Sequence, residues 1–522
     1  LETAVGAAWD YIVVGGGSAG ATVAARLSEF PERRVLLLEA GGADWSPNIH
    51  IPGMVEQLIT SRTLNWHFEG EPDPSLGGRR LTWAAGRVLG GSSSINGMVY
   101  GRGLPADYEA WVQAGHDGWG WNDMLPSFRK MECWSGAPNP ARGTDGPLKV
   151  RPFTQTNAAC RAAMDRMIAN GLPFVEDYSV GISQGIGLTQ ATQTGRWRHS
   201  VARAYLRPAR RRPNLRVVTR ARADRLLIER GRCTGVIYTH QGTQHTARAE
   251  REMIVCAGAI GSPKLLLLSG IGAPEALVEH GIAVTHALPG VGRNLNDHVN
   301  IKISAFVDTP TYNTQRRGLA ALRHGVDLLA RGRGPATSPA NHCQAFMKTE
   351  ASLAVADVQI QLMALGFGTP AEMRRDGMTA VVSPCRPEAR GAVTLRSADP
   401  AEAPRVTMSM LSREADVVKL LRGCRMARAA LEGTGRLYAP HVGVSSDADW
   451  LAFFRETAAL NWHPTSTCRM GDVVDAQLRV LGLSGLSIAD ASVMPSVVSG
   501  NTNAPVIAIA ERAAVLVACR TS

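Results

Sequence analysis

Three glycines, Gly15, Gly17 and Gly20, follow the apolar run Tyr11 to Val14, and Glu39 closes the next apolar run, Val35 to Leu38. Residues of these types at this spacing bind a dinucleotide. Gly15 allows a tight turn, Gly17 lets the backbone approach a pyrophosphate, and Gly20 lets the following helix pack close to its strand. Ser18 and Ala19 stand where that helix opens, and its unpaired N–H groups and positive dipole end suit phosphate oxygens. Glu39, followed by Ala40, lies nineteen residues after Gly20, where a carboxylate accepts hydrogen bonds from a ribose diol. In a chain with 54 glycines the triplet alone carries little; strand, helix (19–28) and acid in succession carry the reading.

The remaining pattern shows what must hold this chemistry. A chain of 522 residues with 45% hydrophobic content supports two or three domains. Residues 8–40 form the βαβ unit, 80–103 a loop rich in glycine and serine, and 104–135 read as helical. A meander follows over 214–240, then a buried strand over 253–257. From Val299 the period becomes two: Val299, Ile301, Ile303 and Ala305 alternate with Asn300, Lys302 and Ser304. Val358, Ile360 and Leu362 alternate with glutamines, and Val393 and Leu395 repeat the period. This predicts an antiparallel sheet covered on one side, joined by helices over 318–331 and 412–432, with one face as a pocket wall over a cofactor. After residue 460 the cofactor-type texture returns. A strand over 486–490 ends in Asp490, and a helix opens near Asn501 to Pro505. The fold class is α/β, α+β overall: a Rossmann-like cofactor domain built from discontinuous segments, plus a substrate domain with a largely antiparallel sheet. The segments are 8–155, 200–298 and 460–522 for the first, with 156–199 as a substrate-domain or linking segment and 299–459 as the second.

Composition narrows the function. The net charge of +11 is mostly arginine, densest over 196–225, and reads as a solvated surface. No zinc-finger spacing or aromatic–basic motif accompanies it, so no nucleic-acid partner is expected. Nine cysteines without a CxxC pair argue against a disulfide framework and against a metal site, and suit a reducing compartment. No apolar run approaches the roughly 20 residues of a membrane span. Leu1 to Trp9 lacks the basic region and apolar core of a signal peptide, so a cytoplasmic enzyme is expected.

Five stretches in order resemble the glucose–methanol–choline (GMC) oxidoreductase family, from Asp10 to about Ala514. They are Gly15 to Gly20 with Glu39 to Gly41, Gly86 to Gly97, Gly258 to Gly272, Leu288 to His298, and Asn461 to Pro464 with Ala489 to Asn503. The resemblance implies FAD rather than NAD. Where several relatives carry a flavin-linked histidine, this chain has Ile95, which implies non-covalent FAD. By the same resemblance Gly90, Ser92, Asn96 and Gly97 border the flavin, Val218 lies near the adenine, and Ala257, Asp490, Asn501 and Thr502 complete the cofactor site.

The resemblance also implies the chemistry. Oxidising a small primary alcohol to an aldehyde removes a hydroxyl proton and a hydride from one carbon, and the flavin takes the hydride. His463 stands at the family's catalytic histidine, and histidine suits a general base near neutral pH. Asn501, six residues after Pro495, stands at the second polar position and would orient the alcohol oxygen. Asn461 and Trp462 are candidate substrate contacts, and Pro505 is the neighbour should the register shift. A neutral or aromatic hydroxymethyl compound (pyridoxine-, aryl-alcohol- or hydroxymethylfurfural-like) is expected, with a choline-like alcohol also considered. Electrons would pass to O2 or another carrier. The alternatives are a hydroxynitrile lyase of the same family that keeps FAD, and a flavoprotein without catalysis.

Overall fold

A computed structural model describes residues 9–441 and 443–520. The reading of Leu1 to Ala8, and the segment ends at 8, 521 and 522, lie outside the described residues.

In chain order the elements that matter are β1 (Trp9–Val14), α1 (Ser18–Leu27), β2 (Val35–Glu39), α2 (Ala158–Ala169), β3 (Gly185–Leu188), β4 (Leu215–Thr219), β5 (Ala221–Glu229), β6 (Arg232–His240) and β7 (Thr243–Val255). There follow α3 (Gly258–Leu268), β8 (Val299–Phe306), α4 (Gly318–Arg331), β9 (Asn341–Met347), β10 (Val358–Met363), β11 (Gly377–Pro384), α5 (Glu414–Glu432), β12 (Leu486–Ile488) and α6 (Asn503–Cys519).

The first sheet has the order β4-β2-β1-β7-β6-β5, with β12 also on β7. β4, β2, β1, β7 and β12 run parallel, whereas β7, β6 and β5 are antiparallel. The parallel strands are covered on both faces, which is why Tyr11 to Val14 and Val35 to Leu38 are continuous apolar runs. α1 presses on β1 at Gly20, where an added Cβ would lie 1.9 Å from the Gly15 carbonyl oxygen.

The second sheet has the order β8-β11-β10-β9-β3 and is antiparallel throughout. The short strands Arg436–Ala439 and Ala459–Leu460 pair with opposite ends of β8. Val299, Ile301, Ile303, Ala305, Ile360 and Leu362 are buried in a core shared with α2 and α5. The opposite face carries Asn300, Lys302, Gln359 and Gln361, as the period of two predicts.

Two expectations change. Residues 104–135 are not one helical stretch: helices Pro105–Gln113 and Trp121–Met131 are separated by a turn through Gly115 and Gly118, at φ +92 and +82, and Glu132–Trp134 is a strand. Val393 belongs to a separate ribbon, Ala392–Thr394 with Arg405–Thr407, rather than to the large sheet.

Candidate active site

The loop after Ala459–Leu460 brings His463 to the polar face of the second sheet. Three ties hold it there. Asn296 and Thr465 exchange backbone hydrogen bonds of 3.2 and 2.9 Å. The His463 N–H donates to Asp297 Oδ1 at 2.8 Å. Asp297 also accepts from the His298 N–H and from Trp83 Nε1. Burial pushes the Asp297 carboxyl up to about 7, and those hydrogen bonds oppose it. Trp462, beside the histidine, takes a left-handed φ of +57 and donates its Nε1 to the Thr82 carbonyl.

The protonation of His463 follows from its neighbours. Burial lowers both imidazoles: His298 falls to about 4, and His463, with His298 as the second cause, falls well below 6.5. Both rings are therefore neutral near pH 7. His298 Nε2 lies 3.1 Å from the Cys385 carbonyl oxygen, which can only accept, so this nitrogen carries the proton. His298 Nδ1 is then bare. It faces His463 Nδ1 at 3.0 Å, so His463 Nδ1–H is the donor. His463 Nε2 is left with its lone pair. Asn501 Nδ2 donates to it at 3.2 Å. Asn501 Oδ1 accepts from Gln361 Nε2, whose Oε1 accepts from Asn341 Nδ2. The bare His463 Nε2 turns the Nδ2 end of Asn501 toward the imidazole, and the order of the amides behind it follows from that end.

Asn461 is spent on structure. Its Nδ2 donates to Ser383 Oγ at 2.8 Å and its Oδ1 accepts from Asn300 Nδ2 at 2.9 Å, fastening the histidine loop to the sheet.

Below this polar face lies a cavity of about 1030 Å³ that runs to the end of the first sheet. Gly15, Gly17, Ser18, Ala19, Glu39, Ala40, Ser92, Asn96, Gly97, Ala257, Asp490, Asn501 and Thr502 line it, as do Asn461, Trp462 and His463. Gly20, Gly90, Val218 and Pro505 are not among the described wall residues. Gly20 serves the helix–strand contact, and Gly91 reaches the wall beside Gly90. Val218 pairs with Leu38 inside the sheet, and Ala221 to Ala223 line the wall there. Pro505 is buried in the first turn of α6.

This wall fits FAD. Glu39 takes backbone N–H bonds of 2.7 Å from Gly16 and Gly41, which aim its carboxylate, and burial pushes it up to about 7. Ser18 Oγ donates to Asn503 Oδ1 at 2.7 Å, so the N-termini of α1 and α6 meet at the cavity. Two positive dipole ends there suit a pyrophosphate and an electron-rich ring. Asn96 Oδ1 is held by Arg198 Nη1 and the Met98 N–H, which leaves Nδ2 as its donor. Asp490 lies on the wall, but its oxygens accept from the Gly258 N–H, Ser262 Oγ and the Ser492 N–H. It joins α3 to the C-terminal segment.

Sequence reasoning missed His298, Asp297, Gln361 and Lys302 as site residues. The signal was present in Asn296–Asp297–His298 standing directly before the alternating strand, but nothing local tells that strand which loop it will meet.

Two family models, each described as GMC oxidoreductase, match residues 9–300 and 387–510. An oxygen-dependent choline dehydrogenase from Rhizobium johnstonii is 38% identical over 97% of this chain and 94% of its own length. Pyridoxine 4-oxidase from Mesorbium loti superposes with a TM-score of 0.89 at 29% identity, covering 97% of this chain and 98% of that one. A formate oxidase superposes with a TM-score of 0.92 at 26% identity, covering 99% of both chains.

Proposed function

The chain belongs to the GMC oxidoreductase family, and from that premise we propose how its residues divide the work of oxidising an alcohol. The enzyme is an FAD-dependent oxidoreductase acting on CH–OH groups. Bound FAD supplies the acceptor for the carbinol hydride. The wall from Gly15 to Ala40 holds the dinucleotide end, and Ser92, Asn96, Gly97, Ala257 and Thr502 hold the ring end. Ile95 offers no nucleophile, so the cofactor is held without a covalent bond.

The single observation that carries the mechanism is the hydrogen-bond chain from the Cys385 carbonyl through His298 to His463, which sets the tautomer of the base. Its Nε2 lone pair is the proton acceptor, and Asn501 Nδ2 stands beside it as a donor. An alcohol hydroxyl that takes the place of the Asn501 N–H at His463 Nε2 donates to that nitrogen, and the freed Asn501 N–H donates to the alcohol oxygen. As the proton leaves, the growing negative charge on oxygen is met by the Asn501 amide. The hydrogen bond from Gln361 to Asn501 Oδ1 keeps the amide beside the substrate oxygen when its N–H changes partner. His298 takes no proton from substrate. It positions the base and fixes its tautomer.

The substrate is a small primary alcohol, with an aryl or other hydroxymethyl compound preferred. The 38% identical choline dehydrogenase favours a choline-like alcohol as the second reading. Electrons then pass to O2 or to another carrier. The division into a cofactor body (8–155, 200–298 and 460–522) and a pocket body (156–199 and 299–459) belongs to the same proposal, supported by the two separate sheets. So does a cytoplasmic location. No helix among the described residues is long and apolar enough to cross a membrane.

The test is an anaerobic absorbance titration of the yellow protein with benzyl alcohols, pyridoxine and choline, followed by air. Bleaching by one class supports hydride transfer and identifies the substrate. Fast return of colour in air indicates an oxidase and slow return another carrier. No bleaching by any primary alcohol overturns the proposal.

A further inference from the structure

We propose that Lys302 is an anion-binding subsite at the far end of the substrate cavity, so that the alcohol oxidised here carries a carboxylate remote from its carbinol. The inference rests on the alcohol-oxidising reading above.

Lys302 is on β8 and shares the polar face with Asn300. The register sets Lys302 opposite Val381, Val381 opposite Gln361, and Gln361 opposite Gln344, in one row across four strands. Gln361 is the residue that holds Asn501. Lys302 therefore stands two strand spacings, about 10 Å, from the amide that steadies the base pair. A benzene ring or a short chain bridges that interval. Lys302 lines the same cavity as His463 and Asn501.

Its charge meets an aromatic face and, among the described residues, no carboxylate. Among the described residues Lys302 makes no ion pair; its Nζ lies 5.2 Å from the centre of the Phe367 ring. Burial lowers its pKa, and the other charge acting on it is Arg79, a second cation. The carboxylates on the cavity wall are Glu39, Glu56 and Asp490. Glu39 and Asp490 accept backbone N–H groups at the dinucleotide end, and Glu56 is paired with Arg316. A half-buried ammonium over an aromatic ring, with no carboxylate beside it, gains a charge-assisted hydrogen bond from a ligand carboxylate. Asn300 Oδ1, on the same face, is buried without a hydrogen-bond partner and takes a donor such as a ligand hydroxyl, not the carboxylate. This wall is finished by a polar ligand. A quaternary ammonium there would meet like charge.

Three para-substituted benzyl alcohols test the inference on the holoenzyme: p-(hydroxymethyl)benzoate, p-methylbenzyl alcohol and p-(aminomethyl)benzyl alcohol. The expected order of kcat/KM is acid, neutral, cation, with at least about a tenfold step from acid to neutral. Lys302→Met brings the acid-to-neutral ratio close to one, and Lys302→Arg keeps it high. Binding of p-toluate, which has no carbinol, is measured by calorimetry and weakens at least about tenfold in Lys302→Met. The flavin absorbance of each variant shows that it is folded and loaded. Equal kcat/KM for the three alcohols, or a preference that survives Lys302→Met, overturns the subsite while leaving alcohol oxidation intact. If no alcohol bleaches the flavin, the alcohol reading fails instead, and p-toluate binding alone decides whether Lys302 holds an anion.

Discussion

The two walls of the cavity are built from different material. The dinucleotide wall is largely backbone: glycines of which Gly15 and Gly91 leave no room for a Cβ, peptide N–H groups that aim Glu39, and two helix N-termini joined by Ser18 and Asn503. The substrate wall is side chains: Asn300, Lys302, Gln361, Asn461, His463 and Asn501, drawn from separate strands and loops. The first wall binds one invariant ligand, and its shape is set by local chain geometry. The second can be re-specified by exchanging one amide or one charge while the sheet stays the same. Burial acts on both in the same sense, favouring neutral forms. It raises the Glu39 carboxyl to about 7 and lowers the histidines. On the substrate wall that is useful, because a base must be neutral to accept a proton.

The sharpest way to separate the walls is His463→Ala. Turnover should fall by about 10²-fold or more, the ordinary contribution of a general base. FAD content should stay at the wild-type level, since the residue stands on the other wall. A variant that turns over normally removes His463 from the mechanism. Asn501→Ala should cost about tenfold to a hundredfold in kcat, as one donor to the developing charge is lost. Asn501 stands where the walls meet, so its FAD affinity is the informative second reading.

Glu39→Gln probes the opposite wall. Replacing the carboxylate removes a charged acceptor for a ribose diol, worth about tenfold or more in the dissociation constant for FAD. The loss should appear in FAD retained after dialysis before it appears in turnover per bound flavin. Unchanged flavin content would remove the ribose role.

The pH dependence is a smaller and more diagnostic effect. His463 accepts a proton only when neutral, and its pKa lies below 6.5 because of burial first and His298 second. The activity is therefore present above that pKa and is lost as pH falls through it. kcat/KM should be flat across neutral pH and decline only on the acid side. His298→Gln removes the second cause and the tautomer lock together. The acid limb should move upward in pH, and kcat should fall more than KM rises. An acid limb that stays in place would leave His298 a purely structural role.

How legible each wall was in the sequence follows from this contrast. Gly15, Gly17, Gly20 and Glu39 act within one βαβ unit, so their spacing along the chain is their spacing in space. The alternation of Val299 to Ala305 with polar residues likewise gave a sheet with one wet face. The partners across that face did not follow. His298 and His463 are 165 residues apart, and Gln361 and Asn501 are 140 apart. The register of Ala459–Leu460 on β8 brings the first pair together, and the loop before α6 lying against the sheet brings the second; neither is a property of any one strand. Val393 misled for the same reason: its period was right, but its partner is a short ribbon.

The smallest expected effect concerns the face of the second sheet that does no chemistry. Gly423 of α5 faces β10 and β11, and an added Cβ would lie 2.7 Å from Val358 Cγ1 and 2.8 Å from Val382 Cγ1. Alanine there gains about 1 kcal/mol of helix propensity, against about 1–3 kcal/mol for overpacking a filled core. Gly423→Ala should therefore lower stability by about 1 kcal/mol, read as a shift in the denaturant midpoint. The shift must reach the polar face to touch catalysis, and the strands between are rigid along their hydrogen bonds. If kcat/KM for the preferred alcohol also falls, the apolar face helps set the register of Lys302, Gln361 and Asn300. If it does not, the polar face keeps its geometry independently of the core beneath it, and the substrate wall can change its specificity without cost to the fold.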